Sequence, residues 1–158
     1  MRRWNGWGDE ATVVELPAHG EAFLAELIGP GQVLADASLE QVLATVPPSR
    51  LQAHPLICLN AEDRVRHARG QSLPDWLAMR SGDFGVFPDG VAYPESPAQI
   101  RELLAWASQQ DLIVIPYGGG TSVAGHINPQ AGSKPVLTLS LERMGKLIEI
   151  DHDSLIAT

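Results

Sequence analysis

Hydrophobic positions follow two different rhythms along this chain. Up to about residue 82 they recur at helical spacing in short bursts. Phe23, Leu24, Leu27 and Ile28 share one face of a helix starting at Glu21, and Gly29-Pro30-Gly31 stops it. Ser38 stands three residues before Gln41, a capping box that opens a helix carrying Leu39, Val42 and Leu43 and ending at Pro47-Pro48. Asn60 is placed to cap a third helix running to Ala68. Ser72 is placed to cap a fourth, with Pro74 in its first turn and Gly82 just past its end. Helices this short persist only with tertiary contacts. Four of them in this span imply an arm or cover laid on a larger body.

From Gly85 the rhythm changes to strands alternating with a helix. Val91-Ala92-Tyr93 reads as a short strand after a Pro-Asp-Gly turn. Ser96-Pro97-Ala98-Gln99 reads as another capping box, followed by an apolar stripe of Ile100, Leu103, Leu104 and Ala107. Leu112 to Ile115 is a continuous apolar run, the pattern of a strand buried on both faces. These elements form a βαβ unit with parallel strands. Val136 to Leu141 predicts a third strand. Lys146–Ile150 and Leu155 onward predict two more around Asp151-His152-Asp153-Ser154. The expected fold class is therefore α/β (α+β), with residues 1–82 a helical arm and residues 83–158 the start of an α/β domain.

Composition narrows the function. A chain of 158 residues with 44% hydrophobic and 19% charged positions has enough apolar content for one domain with a sizeable core. Its net charge of −8 disfavours nucleic-acid binding, which needs clustered Lys and Arg. An anionic ligand would have to be held by local backbone dipoles. Cys58 is the only cysteine, which excludes an intrachain disulfide. No apolar run approaches the roughly 20 residues of a membrane span, and Arg2-Arg3 is not followed by the apolar stretch of a secretory signal. The expected location is cytoplasmic. The histidines lack metal-ligand spacing, so no metal site is expected.

Candidate chemistry concentrates after the Leu112–Ile115 run, in Pro116-Tyr117-Gly118-Gly119-Gly120-Thr121-Ser122 and Gly125. Glycines let successive N–H groups turn toward one point, and such a concavity binds anions. The loop is not a Walker motif, because no Lys follows its last glycine. It also fails the dinucleotide fingerprint, which would need a glycine where Val123 stands. From these residues alone, a phosphate cradle and a plain glycine-rich turn between strands both remain open.

The segment from Pro88 to Asp151 resembles the first half of the FAD-binding domain in the p-cresol methylhydroxylase and vanillyl-alcohol oxidase superfamily. The resemblance rests on Pro88-Asp89-Gly90-Val91-Ala92-Tyr93-Pro94, the helix after it, Ile115 through Ser122, Leu139-Ser140-Leu141-Glu142-Arg143-Met144, and Ile150-Asp151. Arg3-Trp4-Asn5-Gly6-Trp7-Gly8 and Gln71 through Gly82 look like the corresponding parts of alkylglycerone-phosphate synthases and their bacterial relatives.

The resemblance implies FAD as cofactor. Its pyrophosphate would lie on the N–H groups of Gly118, Gly119, Gly120, Thr121 and Ser122, with the two hydroxyls adding bonds. Pro116 would set the chain direction, Tyr117 would pack toward the adenosine, and Gly125 would permit close backbone approach. The implied activity is that of an FAD-linked oxidase or dehydrogenase of a small hydroxy acid or alcohol. Alternatives are an alkylglycerone-phosphate synthase-like transferase, or a non-catalytic binding module. His126 reads as a polar loop residue near the cofactor and Cys58 as an inert buried thiol, while no catalytic residue can be assigned. In the resembling family the small-molecule substrate is met largely by a cap domain, which follows a second flavin subdomain. Neither is recognisable here, so the expectation is an N-terminal piece of a longer flavoprotein.

Overall fold

The computed structural model describes residues 2–32 and 34–158. Helices α1 (Gly20–Ile28), α2 (Leu39–Leu43), α3 (Ala61–Arg66) and α4 (Leu73–Ser81) form where the spacing and caps predict them. Ser38 and Gln41 bond reciprocally, and Asn60 accepts from the Asp63 N–H. Ser72 pairs in the same way with Asp75, and Gly82 closes α4 in the left-handed conformation. α1 differs from the others. It buries none of its residues, and Phe23, Leu27 and Ile28 stay exposed.

Six strands are present: β1 (Ile57–Cys58), β2 (Gly90–Ala92), β3 (Ile113–Tyr117), β4 (Val136–Ser140), β5 (Ile150–Asp151) and β6 (Ile156–Ala157). β5 and β6 pair as a hairpin, but the first strand is shorter than expected: residues 146–149 lie outside it and Asp151, expected in the turn, lies within it. The other four form one sheet in the order β1-β2-β4-β3. β2 and β3, joined through α5 (Pro97–Gln109), both run parallel to β4, which lies between them. This order corrects one expectation. β3 was expected to be buried on both faces, but it lies at an edge and leaves Ile113 41% exposed. The central strand is β4, buried at all five positions. β1 was not anticipated. It comes from the N-terminal region and pairs antiparallel with β2; two residues carry too little periodicity to read as a strand.

The cap of α5 also differs in detail. Ser96 accepts from the Gln99 N–H, but the Gln99 side chain accepts from the Glu95 N–H rather than returning to Ser96.

Side-chain alternation along β4 divides the interior. Leu137 and Leu139 pack with Ala92, and with Leu103 and Ile100 of α5. Val136 lies with Ile115, Tyr117 and Ile127 on the other face. There His67, just beyond α3, meets Ser140 and Tyr117. The N-terminal helices thus cover the sheet face opposite α5. They hold a core of their own, in which Val42, Val65, Met79, Phe84 and Phe87 pack with Trp4. Trp7, by contrast, is exposed.

Candidate functional site

β3 delivers the glycine loop to the carboxyl ends of the parallel strands. In open α/β sheets this is the edge where ligands bind, because loops and free backbone groups converge there. Tyr117 is the last residue of β3, and alternation turns its ring inward. The ring lies 4.6 Å from that of His67, with the Arg2 guanidinium 5.1 Å above it. Its hydroxyl donates to the Arg66 carbonyl at 3.3 Å. Burial raises the Tyr117 pKa, so the phenol stays protonated. Gly120 rests against this phenol at φ +70°; a Cβ there would overlap the ring. Tyr117 therefore supports the loop from beneath.

Beyond Gly118 the backbone N–H groups are unpaired over six residues. Among the described residues, none of the N–H groups of residues 119–124 donates to a protein acceptor. Of these, residues 119–122 border an open cleft of about 280 Å³ lined by Pro116, Gly118–Ser122, His126 and Ile127. Gly118 has nothing within 4 Å of where a Cβ would stand, and Gly119 only the Thr121 methyl at 3.8 Å. The fold itself leaves room for side chains at both positions, and glycine keeps that space free. Unpaired N–H groups at residues 119–122, beside a cleft left free of side chains at Gly118 and Gly119, fit a phosphate group. The Ser122 hydroxyl and His126 Nδ1 lie 3.1 Å apart at its rim.

The structure thus gathers Pro116, Gly118, Gly119, Gly120, Thr121 and Ser122 around one cleft and adds His126 to them. Tyr117 and Gly125 lie outside its lining. Gly125, at φ +74°, turns the chain back, its carbonyl accepting from the Asn128 N–H at 3.0 Å.

Sequence reasoning missed the residues that fasten this loop. The Gln71 N–H donates to the Ser122 carbonyl at 2.6 Å. The Gly70 N–H donates to Asn128 Oδ1 at 2.9 Å, and Asn128 Nδ2 donates to Asp75 Oδ1 at 2.6 Å. The only local signal was Asp75 at the third position of α4, where a capping role already accounts for it.

A second opening, of about 600 Å³, lies at the ends of β2 and β4 and includes Arg2, Asp63, Arg66, His67 and Tyr93 in its lining. Burial lowers the His67 pKa to about 4. Its Nδ1 donates to the Asp63 carbonyl at 2.8 Å, so in the neutral ring Nε2 accepts from the Ser140 hydroxyl at 3.3 Å. Burial raises the Cys58 thiol pKa, and that thiol donates to Asp63 Oδ2 at 3.2 Å. Burial would raise Asp63 too, but hydrogen bonds from Tyr93, Cys58 and Asn60 outweigh it and hold the carboxylate ionised. Tyr93 is pushed up by burial and by that carboxylate. At neutral pH neither His67 nor Cys58 is poised for proton transfer or attack.

Residues 88–158 match the family described as FAD binding domain. The chain is 26% identical over 191 residues to an alkyldihydroxyacetonephosphate synthase of Dictyostelium discoideum, covering 98% of this chain and 31% of that protein. It is 25% identical to the synthase of Trypanosoma brucei brucei, covering 96% and 30%. It is 32% identical over 71 residues to glycolate oxidase subunit GlcD of Bacillus subtilis, covering 45% and 14%. The chain spans about a third of the length of the curated synthases it matches. Two crystal forms of alkyldihydroxyacetonephosphate synthase align with TM-scores of 0.76 and 0.77 at 21% and 22% identity, covering 99% of this chain and 35% and 34% of those chains. At that identity the likeness is one of fold. Residues 88–158 are thus similar to the FAD binding domain shared by these synthases and oxidases, and FAD is the cofactor of that domain.

Proposed function

We propose that residues 118–122 hold the pyrophosphate of FAD, and that the protein is a flavin-dependent oxidoreductase acting on a small hydroxy acid or alcohol. The observation that carries the first part is the run of unpaired N–H groups bordering a cradle kept open by Gly118 and Gly119. Bound flavin supplies the hydride-accepting chemistry. The part played by this chain is to bind and orient. Backbone dipoles at 118–122 offset the phosphate charge in a protein that is acidic overall, and Tyr117 fixes the floor of the loop. The likeness of 45% of the chain to a glycolate oxidase subunit supports the oxidoreductase reading.

A second reading, an alkylglycerone-phosphate synthase-like transferase, is favoured by one observation. The matches to synthases extend through the N-terminal helices, over 98% and 96% of the chain.

The visible absorption spectrum of the natural-length protein tests the shared premise. A flavin spectrum that is lost in Gly119→Asp supports the loop assignment, whereas normal flavin content in that variant overturns it. Bleaching by a 2-hydroxy acid with turnover of an electron acceptor favours the oxidoreductase. Exchange of an acyl group for a fatty alcohol without net redox change favours the transferase.

A further inference from the structure

The glycine loop does not hold its own shape. No N–H of residues 119–124 bonds back to the protein among the described residues, so nothing within that stretch resists collapse of the N–H groups away from the cleft. Apart from Tyr117 beneath Gly120, what holds it comes from the N-terminal half of the chain. The Ser122 carbonyl is drawn inward by the Gln71 N–H at 2.6 Å. A trans peptide plane carries its C=O and the following N–H in opposite directions, so this bond turns the Val123 N–H away from residues 70–71. Gly70 lies so close that a Cβ would overlap the Ser122 carbonyl oxygen.

The Gly70–Gln71 strand is held in turn by side chains. Asn128, after the loop, accepts from the Gly70 N–H and donates to Asp75 Oδ1. Asp75 is 2% exposed. Its other oxygen accepts the Ser72 hydroxyl at 2.6 Å and the Ser72 N–H at 3.2 Å, at the start of α4. One carboxylate thus ties the capped end of a helix to the far side of the loop. A capping box alone needs no such burial and no partner 53 residues away.

We propose that Asp75 and Asn128 are positioning residues for FAD: they form a brace that carries α4 against the loop and keeps its N–H groups turned toward the phosphates. The proposal rests on the reading that residues 118–122 take the FAD pyrophosphate. The N-terminal helices then help to shape the cofactor site, although their side chains do not line the cleft.

The test is an FAD titration of the natural-length protein, from pH 5 to pH 8, for wild type, Asn128→Ala, Asn128→Asp and Gly119→Asp. The thermal midpoint of each FAD-free protein is measured alongside. Asn128→Ala removes two hydrogen bonds from the brace and weakens FAD binding roughly tenfold. Asn128→Asp sets a second carboxylate against Asp75. Two carboxylates this close share a proton as pH falls, which rebuilds the contact. Its affinity relative to wild type therefore recovers at pH 5 and is poorest at pH 8.

Two other charged or titratable groups bear on that ratio. Arg69 Nη1 lies 3.8 Å from Asp75 Oδ1, and wild type and variants alike carry Arg69. His126 touches Ser122 and is likewise carried by wild type and variants, so its contribution is common to both sides of the ratio. A purely structural role would lower the thermal midpoint without making the affinity ratio depend on pH. Wild-type affinity in both Asn128 variants, or a ratio that does not change with pH, overturns the brace while loss of FAD in Gly119→Asp leaves the loop assignment standing. Normal FAD binding in Gly119→Asp overturns the loop assignment itself.

Discussion

At the amino-terminal ends of β2 and β4, Asp89 accepts Arg50 Nε and Nη2 at 2.8 Å each, the Arg50 N–H at 3.1 Å and the Val136 N–H at 2.7 Å. Arg64 is buried beside it, donating to the Pro88 and Pro47 carbonyls at 2.6 and 2.7 Å. At the carboxyl end of β3, six consecutive N–H groups have no protein acceptor among the described residues. The first region is a closed polar knot whose charges and backbone groups are answered within the chain. The second is left open beside a cradle without side chains. In the knot Asp89 and Arg64 are buried and paired, as burial requires. The loop residues are mostly exposed and their N–H groups are free for a ligand. The contrast separates a site built for stability from one built to receive something.

Asp89→Ala gives the largest expected effect. Burial would raise the Asp89 pKa, but Arg50 and the Val136 N–H outweigh it and hold the carboxylate ionised. Its charge also offsets the burial that depresses Arg64. Removing it leaves a buried cation uncompensated and costs about 3–5 kcal/mol, measured by urea unfolding. A loss below about 1 kcal/mol would mean that the knot is no more than surface pairing.

Acid acts next. The folded state keeps His67 neutral down to about pH 4, while the unfolded chain takes up a proton below about 6.5. Stability is therefore complete above pH 6.5 and declines as pH falls toward 4, by about 3 kcal/mol at most. His67→Gln, which cannot take up that proton, should unfold with a flatter profile over this window. An unchanged slope would assign the acid sensitivity to other groups.

At the open end, Gly119→Asp should weaken FAD binding by roughly a hundredfold or more through charge and bulk at the phosphate. The stability of its FAD-free form should change little, because the cradle is empty of protein atoms. Gly118→Ala is the finest probe. With nothing within 4 Å of its Cβ, it should keep or slightly raise FAD-free stability, by about 0.5 kcal/mol, while lowering FAD affinity. A comparable loss of FAD-free stability in both glycine variants would erase the distinction between the two ends.

Much of this was legible in the chain itself. The capping residues Ser38, Asn60, Ser72 and Ser96 mark helix starts because a cap is satisfied within three residues. The stripe of α5 is equally local, although Leu104 at its border stays 47% exposed. The glycine run was visible for the same reason. Asp89 was not: in sequence it is the middle of a Pro-Asp-Gly turn, and its partner Arg50 lies 39 residues away. The inward turn of Tyr117 was hidden too, since an edge-strand residue can face either layer until the register is known.

The sequence by itself determined the helices, the parallel strand set and the nature of the loop, because caps, periodicity and glycine all act over a few neighbouring residues. Only the tertiary structure decided that β4 enters between β2 and β3, that β3 stands at the edge, and that α1 leaves its apolar face uncovered. It also decided that α4 reaches the loop through Asp75 and Asn128. Those outcomes depend on which distant surfaces meet, and burial and hydrogen bonding between remote segments leave no periodic trace in a single chain.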